Sequence, residues 1–227
     1  MAINHTAGLV RRDRMEVAPE NHHYISLTFL NAWMENVARP HAHGVFLDYG
    51  CGGQPYRDFF AGSVARYIGA DVVASQGVKL DLKIDPDKPL RLPDGSVDTI
   101  LSTQVLEHVP DFGFYLGECW RLLRPGGALI LTVPMQWRHH ETPFDYWRFT
   151  RYGIVAALEQ RGFRVEDASP CGGVFALIGQ ILLSHLAETG KIKPLLFRLV
   201  NRTALWLDGK YADFEDTLNW MCLARKR

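Results

Sequence analysis

The segment Val45-Phe46-Leu47-Asp48-Tyr49-Gly50-Cys51-Gly52-Gly53-Gln54-Pro55-Tyr56 constrains the fold more than any other part of the chain. An apolar run ends in an acid and passes straight into a glycine-rich turn. A buried parallel strand delivers its carboxyl end to a small-molecule site in this way. The glycines open backbone conformations barred to other residues and let a ligand come close. The order is Gly50-x-Gly52-x-x-Pro55, with proline where a dinucleotide-binding turn needs a third glycine for tight helix–strand packing. The turn is nucleotide-like and a poor fit to NAD or FAD.

Around it the pattern alternates. Val45 to Tyr49, Arg66 to Asp71, Val78 to Asp81, Val97 to Ser102, Ala128 to Val133, Arg164 to Glu166 and Leu218 to Ala224 read as strands. Helical patterns open at Tyr56, at Phe112 and at Arg151, the last with Thr150 as its N-cap and Gly162 closing it. Tyr24 to Val37 carries apolar residues at helical spacing and ends at Arg39-Pro40. Such repetition predicts an α/β fold: a Rossmann-like, seven-stranded, mostly parallel sheet with helices on both faces and an antiparallel C-terminal strand. The expected organisation is a polar segment and helix over 1–40, then one domain over 41–227 with an apolar helical insertion at about 174–210.

Composition excludes several classes. The formal net charge is +0, whereas a nucleic-acid binder shows a basic excess; only Arg11-Arg12-Asp13-Arg14 and Arg225-Lys226-Arg227 are locally basic. The 4 cysteines form no CxxC pair, which argues against a zinc site or a disulfide scaffold and fits a reducing cytoplasm. The start, Met1 to His5, has no basic region followed by an apolar core, so no secretory signal is expected. Neither Gly-Lys-Ser/Thr nor Gly-x-Ser-x-Gly occurs, which removes P-loop and hydrolase-elbow chemistry.

Further motifs follow in order. Asp71 closes the second strand, and Asp81-Leu82 follows the third. Pro93-Asp94-Gly95-Ser96-Val97-Asp98 leads into Ile100-Leu101-Ser102-Thr103-Gln104-Val105-Leu106-Glu107-His108-Val109, where the fourth strand ends and Glu107-His108 reads as a helix start, and Leu122-Leu123-Arg124-Pro125-Gly126-Gly127 precedes the fifth strand. Over roughly Val45 to Pro134 this set resembles the class I S-adenosylmethionine-dependent methyltransferases of the small-molecule, type 11 group. The resemblance continues into His140-Glu141-Thr142-Pro143-Phe144-Asp145-Tyr146-Trp147-Arg148-Phe149-Thr150, which looks like a substrate-side loop. It implies S-adenosyl-L-methionine as cofactor. Asp48, Gly50 and Gly52 would hold the methionyl end, Asp71 the ribose, Asp81 and the Leu82 amide the adenine, and Gln104 would lie beside the sulfonium.

Methyl transfer to a hydroxyl needs a proton acceptor, and the candidates are Glu107, His108, His139, His140 and Asp145. His139-His140-Glu141 lacks the spacing of a metal helix, so no metal is expected. Arg148 suits an anionic acceptor or a cofactor carboxylate. Beyond Val174, Leu195, Leu196, Phe197, Leu199, Val200, Leu205, Trp206 and Leu207 alternate with Arg198, Asn201 and Arg202. That pattern fits a helix pair packed on the sheet, or an amphipathic patch touching a membrane surface or a lipid-linked acceptor. The function expected is methylation of a small molecule such as a sugar, a polysaccharide precursor or a secondary metabolite. The expected location is the cytoplasm or the inner membrane face. The competing reading is a non-catalytic cofactor-binding subunit that stabilises a partner or a membrane assembly.

Overall fold

The computed structural model describes residues 15–190, 194–211 and 213–227; the Arg11–Arg14 cluster and the N-terminal residues lie outside them. Seven strands form one sheet in the order β3-β2-β1-β4-β5-β7-β6. They are β1 (Val45–Tyr49), β2 (Arg66–Asp71), β3 (Leu82–Lys83), β4 (Val97–Thr103), β5 (Leu123–Pro134), β6 (Phe163–Pro170) and β7 (Asn219–Lys226). The β2–β1–β4–β5 pairs are parallel, and β7 runs antiparallel to both β5 and β6. The chain moves outward from β1 through β2 and β3, then returns to the other side of β1 as β4. A ligand crevice opens above that reversal, at the strands' carboxyl ends.

Helices cover both faces. α3 (Phe112–Leu122) and α4 (Arg151–Gln160) share a core with Leu47, Ile100, Leu129 and Cys222. On the other face, α1 (Tyr24–Trp33), the single-turn α2 (Arg57–Phe60), α5 (Val174–Glu188) and α6 (Pro194–Lys210) pack with Phe46, Leu101, Ile130 and Met221. β1 and β4 are buried along nearly their whole length, which is why their centres, Phe46-Leu47 and Ile100-Leu101, are apolar at adjacent positions rather than alternating. Each fully buried Leu, Ile or Phe side chain contributes about 1.5–3 kcal/mol.

Local signals account for most boundaries. Thr150 Oγ1 accepts the Gly153 N–H at 3.1 Å, and Gly162, at φ +88°, ends α4. α1 runs on through a π turn, Met34–Ala38, to the Pro40 boundary. Three expectations are corrected. β3 is Leu82–Lys83 and not Val78–Asp81, because Asp81 N–H donates to Gly69 O and pairing proper starts only at Ala70 and Leu82. β5 begins at Leu123, directly after α3, because Leu123 already pairs with Val97; Arg124 to Gly127, with Gly126 at φ +77°, spans a register shift before Ala128 pairs with Thr99. Glu107 and His108 do not open a helix. They sit in a three-residue 3-10 turn, and α3 starts later, where Asp111 Oδ1 accepts the Phe114 N–H at 2.8 Å.

Candidate active site

The turn after β1 is a framework of backbone donors held by acids. Gly50 N–H and Cys51 N–H both donate to Ala70 O, at 2.9 and 3.0 Å. Asp71, at the end of β2, accepts from Gly52 N–H at 2.7 Å and from Val72 N–H at 2.7 Å. Three positions in a row of this region have positive φ: Gly50 at +86°, Gly52 at +47° and Gln54 at +55°. The glycines serve different ends. A Cβ on Gly50 would lie 2.4 Å from Val105 Cγ2, whereas one on Gly52 or Gly53 would meet nothing within 4 Å. Gly50 therefore seats the turn against the β4 end, and Gly52-Gly53 faces open space. Gly50→Ala is expected to lower the melting temperature by several degrees, reflecting a clash plus about 1–2 kcal/mol of left-handed strain. Gly52→Ala carries only the strain, and its main readout should be weaker ligand binding in calorimetry.

Asp48 is buried beneath this turn, at 1% exposure, and accepts the Tyr67 hydroxyl proton. Burial and then Asp48 itself push the Tyr67 phenol far above its ordinary range, so it stays a donor. The Arg57 guanidinium lies 4.5 Å over the Tyr67 ring and donates to Gln54 Oε1 at 2.7 Å and to Asp81 Oδ2 at 2.8 Å. Asp81 Oδ2 also takes the Gly69 N–H at 2.8 Å. Asp81 is thus tied to β2 and to α2, on one wall of a cavity of about 320 Å³ lined with Gln54, Arg57, Gly77, Val78 and Lys79. Leu82 turns its side chain into the core below. Arg57 and Tyr67 had no motif to announce them, because each lies on an element generic in sequence. Cys51 is buried, and burial pushes its thiol up to about 12, so it is inert packing.

Gln104 leaves β4 with φ +54°, a left-handed conformation that costs a non-glycine residue about 1 kcal/mol or more. Its N–H donates to Thr132 O and its Nε2 to Thr132 Oγ1, both at 3.0 Å, which fixes the side chain between β4 and β5. Three residues on, Glu107 is fully buried, and neither carboxyl oxygen has a hydrogen-bond partner among the described residues. Burial pushes its carboxyl up to about 8 against the pull of Arg148, with Asp145 and Glu141 adding to the rise.

The loop after β5 closes over this acid. Tyr146 and Trp147 N–H groups donate to Glu107 O at 2.8 and 3.2 Å. His108 Nδ1 lies 2.8 Å from Phe144 O, and His140 Nδ1 lies 3.0 Å from Arg138 O. A carbonyl can only accept, so each ring donates from Nδ1 and presents its Nε2 edge to the cluster. His108 Nε2 stands 3.8 Å from Glu107 and 3.8 Å from Glu141, and its ring meets that of His140 edge-on at 4.7 Å. Donor atoms of Glu107, His108 and His140 lie within 4.8 Å of one another, a spacing that suits either a shared proton or a small divalent cation.

His139 stands apart from this group, and Asp145 touches it through His140, whose Nδ1 lies 3.4 Å from Asp145 Oδ2. Both Asp145 oxygens are taken by Arg148, at 2.6 and 2.9 Å, and Oδ2 also accepts the His140 N–H. Burial would raise Asp145, but Arg148 and the His140 N–H outweigh it and hold the carboxyl down at about 2. Asp145 is therefore a poor proton acceptor and a firm loop pin. Arg148 also donates to Trp137 O and Arg138 O, so it is committed to the loop. His139 is exposed, 3.7 Å from Asp145.

Residues 47–131 match the model of a methyltransferase domain. A probable S-adenosylmethionine-dependent methyltransferase of Mycolicibacterium smegmatis is 31% identical over 134 residues, covering 53% of this chain and 52% of that protein. Over this segment the chain is similar to the type 11 methyltransferase domain. A ubiquinone biosynthesis O-methyltransferase of Parvibaculum lavamentivorans is 32% identical over 106 residues, 42% of each chain. The chain thus spans about half the length, or less, of these relatives. The solved S-adenosylmethionine-dependent methyltransferase of Mesorhizobium loti shares the fold, with a TM-score of 0.55, 19% identity, and coverage of 93% of this chain and all of that one.

The residues present fit the cofactor of this family. Gly52 and Gly53 leave room at the turn, and the acids at Asp48, Asp71 and Asp81 suit a cationic ligand that carries hydroxyls and an amino group. No described helix is long and apolar enough to cross a membrane.

Proposed function

We propose that this chain transfers a methyl group from S-adenosylmethionine to a hydroxyl of a small-molecule acceptor, with the Glu107–His108–His140 cluster taking the proton. One observation carries the reading: Val105 packs directly on Gly50, so the donor turn and the buried Glu107 are two ends of one short segment after β4. S-adenosylmethionine supplies an electrophilic methyl group on a sulfonium. The chain supplies position and a proton sink. Asp48, Gly50, Gly52 and Asp71 would hold the methionyl and ribose part, Asp81 and the Leu82 amide the adenine, and Gln104 the edge next to the acceptor. Fixing both partners in this way is worth up to ~7–11 kcal/mol of a bimolecular barrier.

His108 and His140 are the partly exposed members of the cluster, so they face the acceptor; Glu107 behind them stabilises the imidazolium that forms. The names of the ubiquinone O-methyltransferases support hydroxyl chemistry on a small molecule, and sugars or polysaccharide precursors remain within the same acceptor class. Calorimetry with S-adenosylmethionine and its demethylated product tests the donor half. Folded protein that binds neither at millimolar concentration would overturn it. Assay after EDTA treatment separates the two uses of the cluster. Unchanged turnover supports proton transfer, and loss restored by a divalent cation replaces it with metal chemistry.

A further inference from the structure

The hairpin of α5 and α6 is patterned inside out. Its polar side chains Gln180, Asn201 and Asp208 are buried, while Ile178, Ile181, Leu195, Leu199 and Trp206 are each more than half exposed. The buried polar groups bond inward. Asp208 accepts Gly173 N–H at 2.9 Å and Ala176 N–H at 3.0 Å, Asn201 Nδ2 donates to Pro19 O at 2.7 Å, and Gln180 Nε2 donates to His22 O at 2.7 Å. These bonds fix which face of each helix points inward. At helical spacing, the opposite faces then carry Ile178, Ile181, Leu182 and His185 on α5, and Leu195, Leu199, Arg202 and Trp206 on α6. A helix in water puts its apolar stripe on the core and its polar residues outside; both helices here bury apolar residues such as Leu183 and Phe197 and carry a second apolar stripe on the outer face.

Charge decides what this face meets. Arg198, Arg202 and Lys210 are exposed on α6, whose one carboxylate, Asp208, is turned inward. Lys210 Nζ lies 4.7 Å over the Trp206 ring, an apolar body with a cationic tip. In the sequence, Lys191 and Lys193 fall between the two helices, outside the described residues. Of the nearby acids, Glu20 stands at a loose 3.7 Å from Arg198 itself, leaving Arg202 and Lys210 to set the charge of the face, and Glu188 pairs with Arg138 at 2.7 Å. A second copy docked across a two-fold axis would bring the same arginines together with no exposed α6 carboxylate to meet them.

We propose that the outer face of the α5–α6 hairpin lies in the plane of an anionic lipid surface, with Leu195, Leu199 and Trp206 inserted and Arg198, Arg202 and Lys210 at the headgroups. The helices, of 15 and 17 residues, rest on the surface and do not cross it. The Arg138–Glu188 pair connects the end of α5 to the loop over Glu107, so docking would set the acceptor side of the site beside the lipid. The inference stands on this face alone and is independent of the proposed methyl transfer.

Flotation of the full chain with vesicles tests it. Binding to phosphatidylglycerol–phosphatidylcholine vesicles, absent with pure phosphatidylcholine and reversed by salt, is the expected result. Arg202→Gln should weaken binding about fivefold, and Leu199→Ser should weaken it further, both with melting curves like the parent's because the two side chains are exposed. Failure to float with anionic vesicles at low salt would overturn the proposal, as would variants that float as well as the parent. A dimer in light scattering that Leu199→Ser disperses, without vesicle binding, would assign the face to a second copy instead.

Discussion

A Glu107→Gln variant is expected to melt higher than the parent at pH 8 and to lose methyl transfer by about 10²–10⁴-fold. Both effects come from one buried carboxyl. Its folded pKa of about 8 stands above the ordinary 4.5 because burial penalises the charged form. Below pH 4.5 the folded and unfolded chains both hold the proton, and the group adds no penalty. Between 4.5 and 8 the unfolded chain releases its proton while the folded chain keeps it, so stability falls by about 1.4 kcal/mol per pH unit. Glutamine cannot ionise, and the penalty disappears. Thermal melts of both proteins from pH 4 to pH 9 should converge at the acid end and separate toward the alkaline end. The activity profile supplies the second readout. Parent kcat/KM should rise with pH through about 8 as Glu107 ionises, and the variant should lack that limb. Equal melting at every pH would show that the carboxyl is solvated.

Asp71→Ala is expected to weaken S-adenosylmethionine binding by about 10–150-fold, the loss of one charge-assisted hydrogen bond worth about 1.5–3 kcal/mol. The structure adds a reason that the motif lacked. Asp71 holds the Gly52 N–H at 2.7 Å, so alanine removes a ligand contact and also releases the turn that shapes the cradle. Asp71→Asn should fall between the two, since its side-chain oxygen can keep the Gly52 bond without the charge. Calorimetry gives the affinities, and far-ultraviolet circular dichroism checks that β2 survives. Affinity equal to the parent's in the alanine variant would remove Asp71 from the site.

Most strands were legible because a strand buried on both faces carries an apolar run, as Val45-Phe46-Leu47 in β1, Ile100-Leu101 in β4 and Ala128-Leu129-Ile130-Leu131 in β5 do. The antiparallel C-terminal strand was legible as well. β3 was misplaced, because a two-residue edge strand carries almost no periodic signal and its register is set by pairing with Ala70 and Asp71. Glu107-His108 looked like a helix start, since an acid followed by a polar residue before an apolar pattern suits one; the Asp111 cap showed where the helix truly begins. Among the candidate bases, sequence could not separate Glu107 from Asp145. Both are acids near histidines, and only packing decided that Arg148 neutralises one and that the other's carboxyl is buried with no hydrogen-bond partner among the described residues.

The sequence by itself determined the sheet and the glycine turn on which the proposed donor side rests, because glycine, proline and strand-end acids act through local backbone geometry. The tertiary structure decided what depends on distant chain segments meeting. Arg57 and Tyr67 reach Asp81 and Asp48 across the donor side, and His140 comes from beyond β5 to face Glu107 and His108. It decided also that α5 and α6 turn their polar residues inward, since burial and charge state belong to the folded surroundings and to no residue alone.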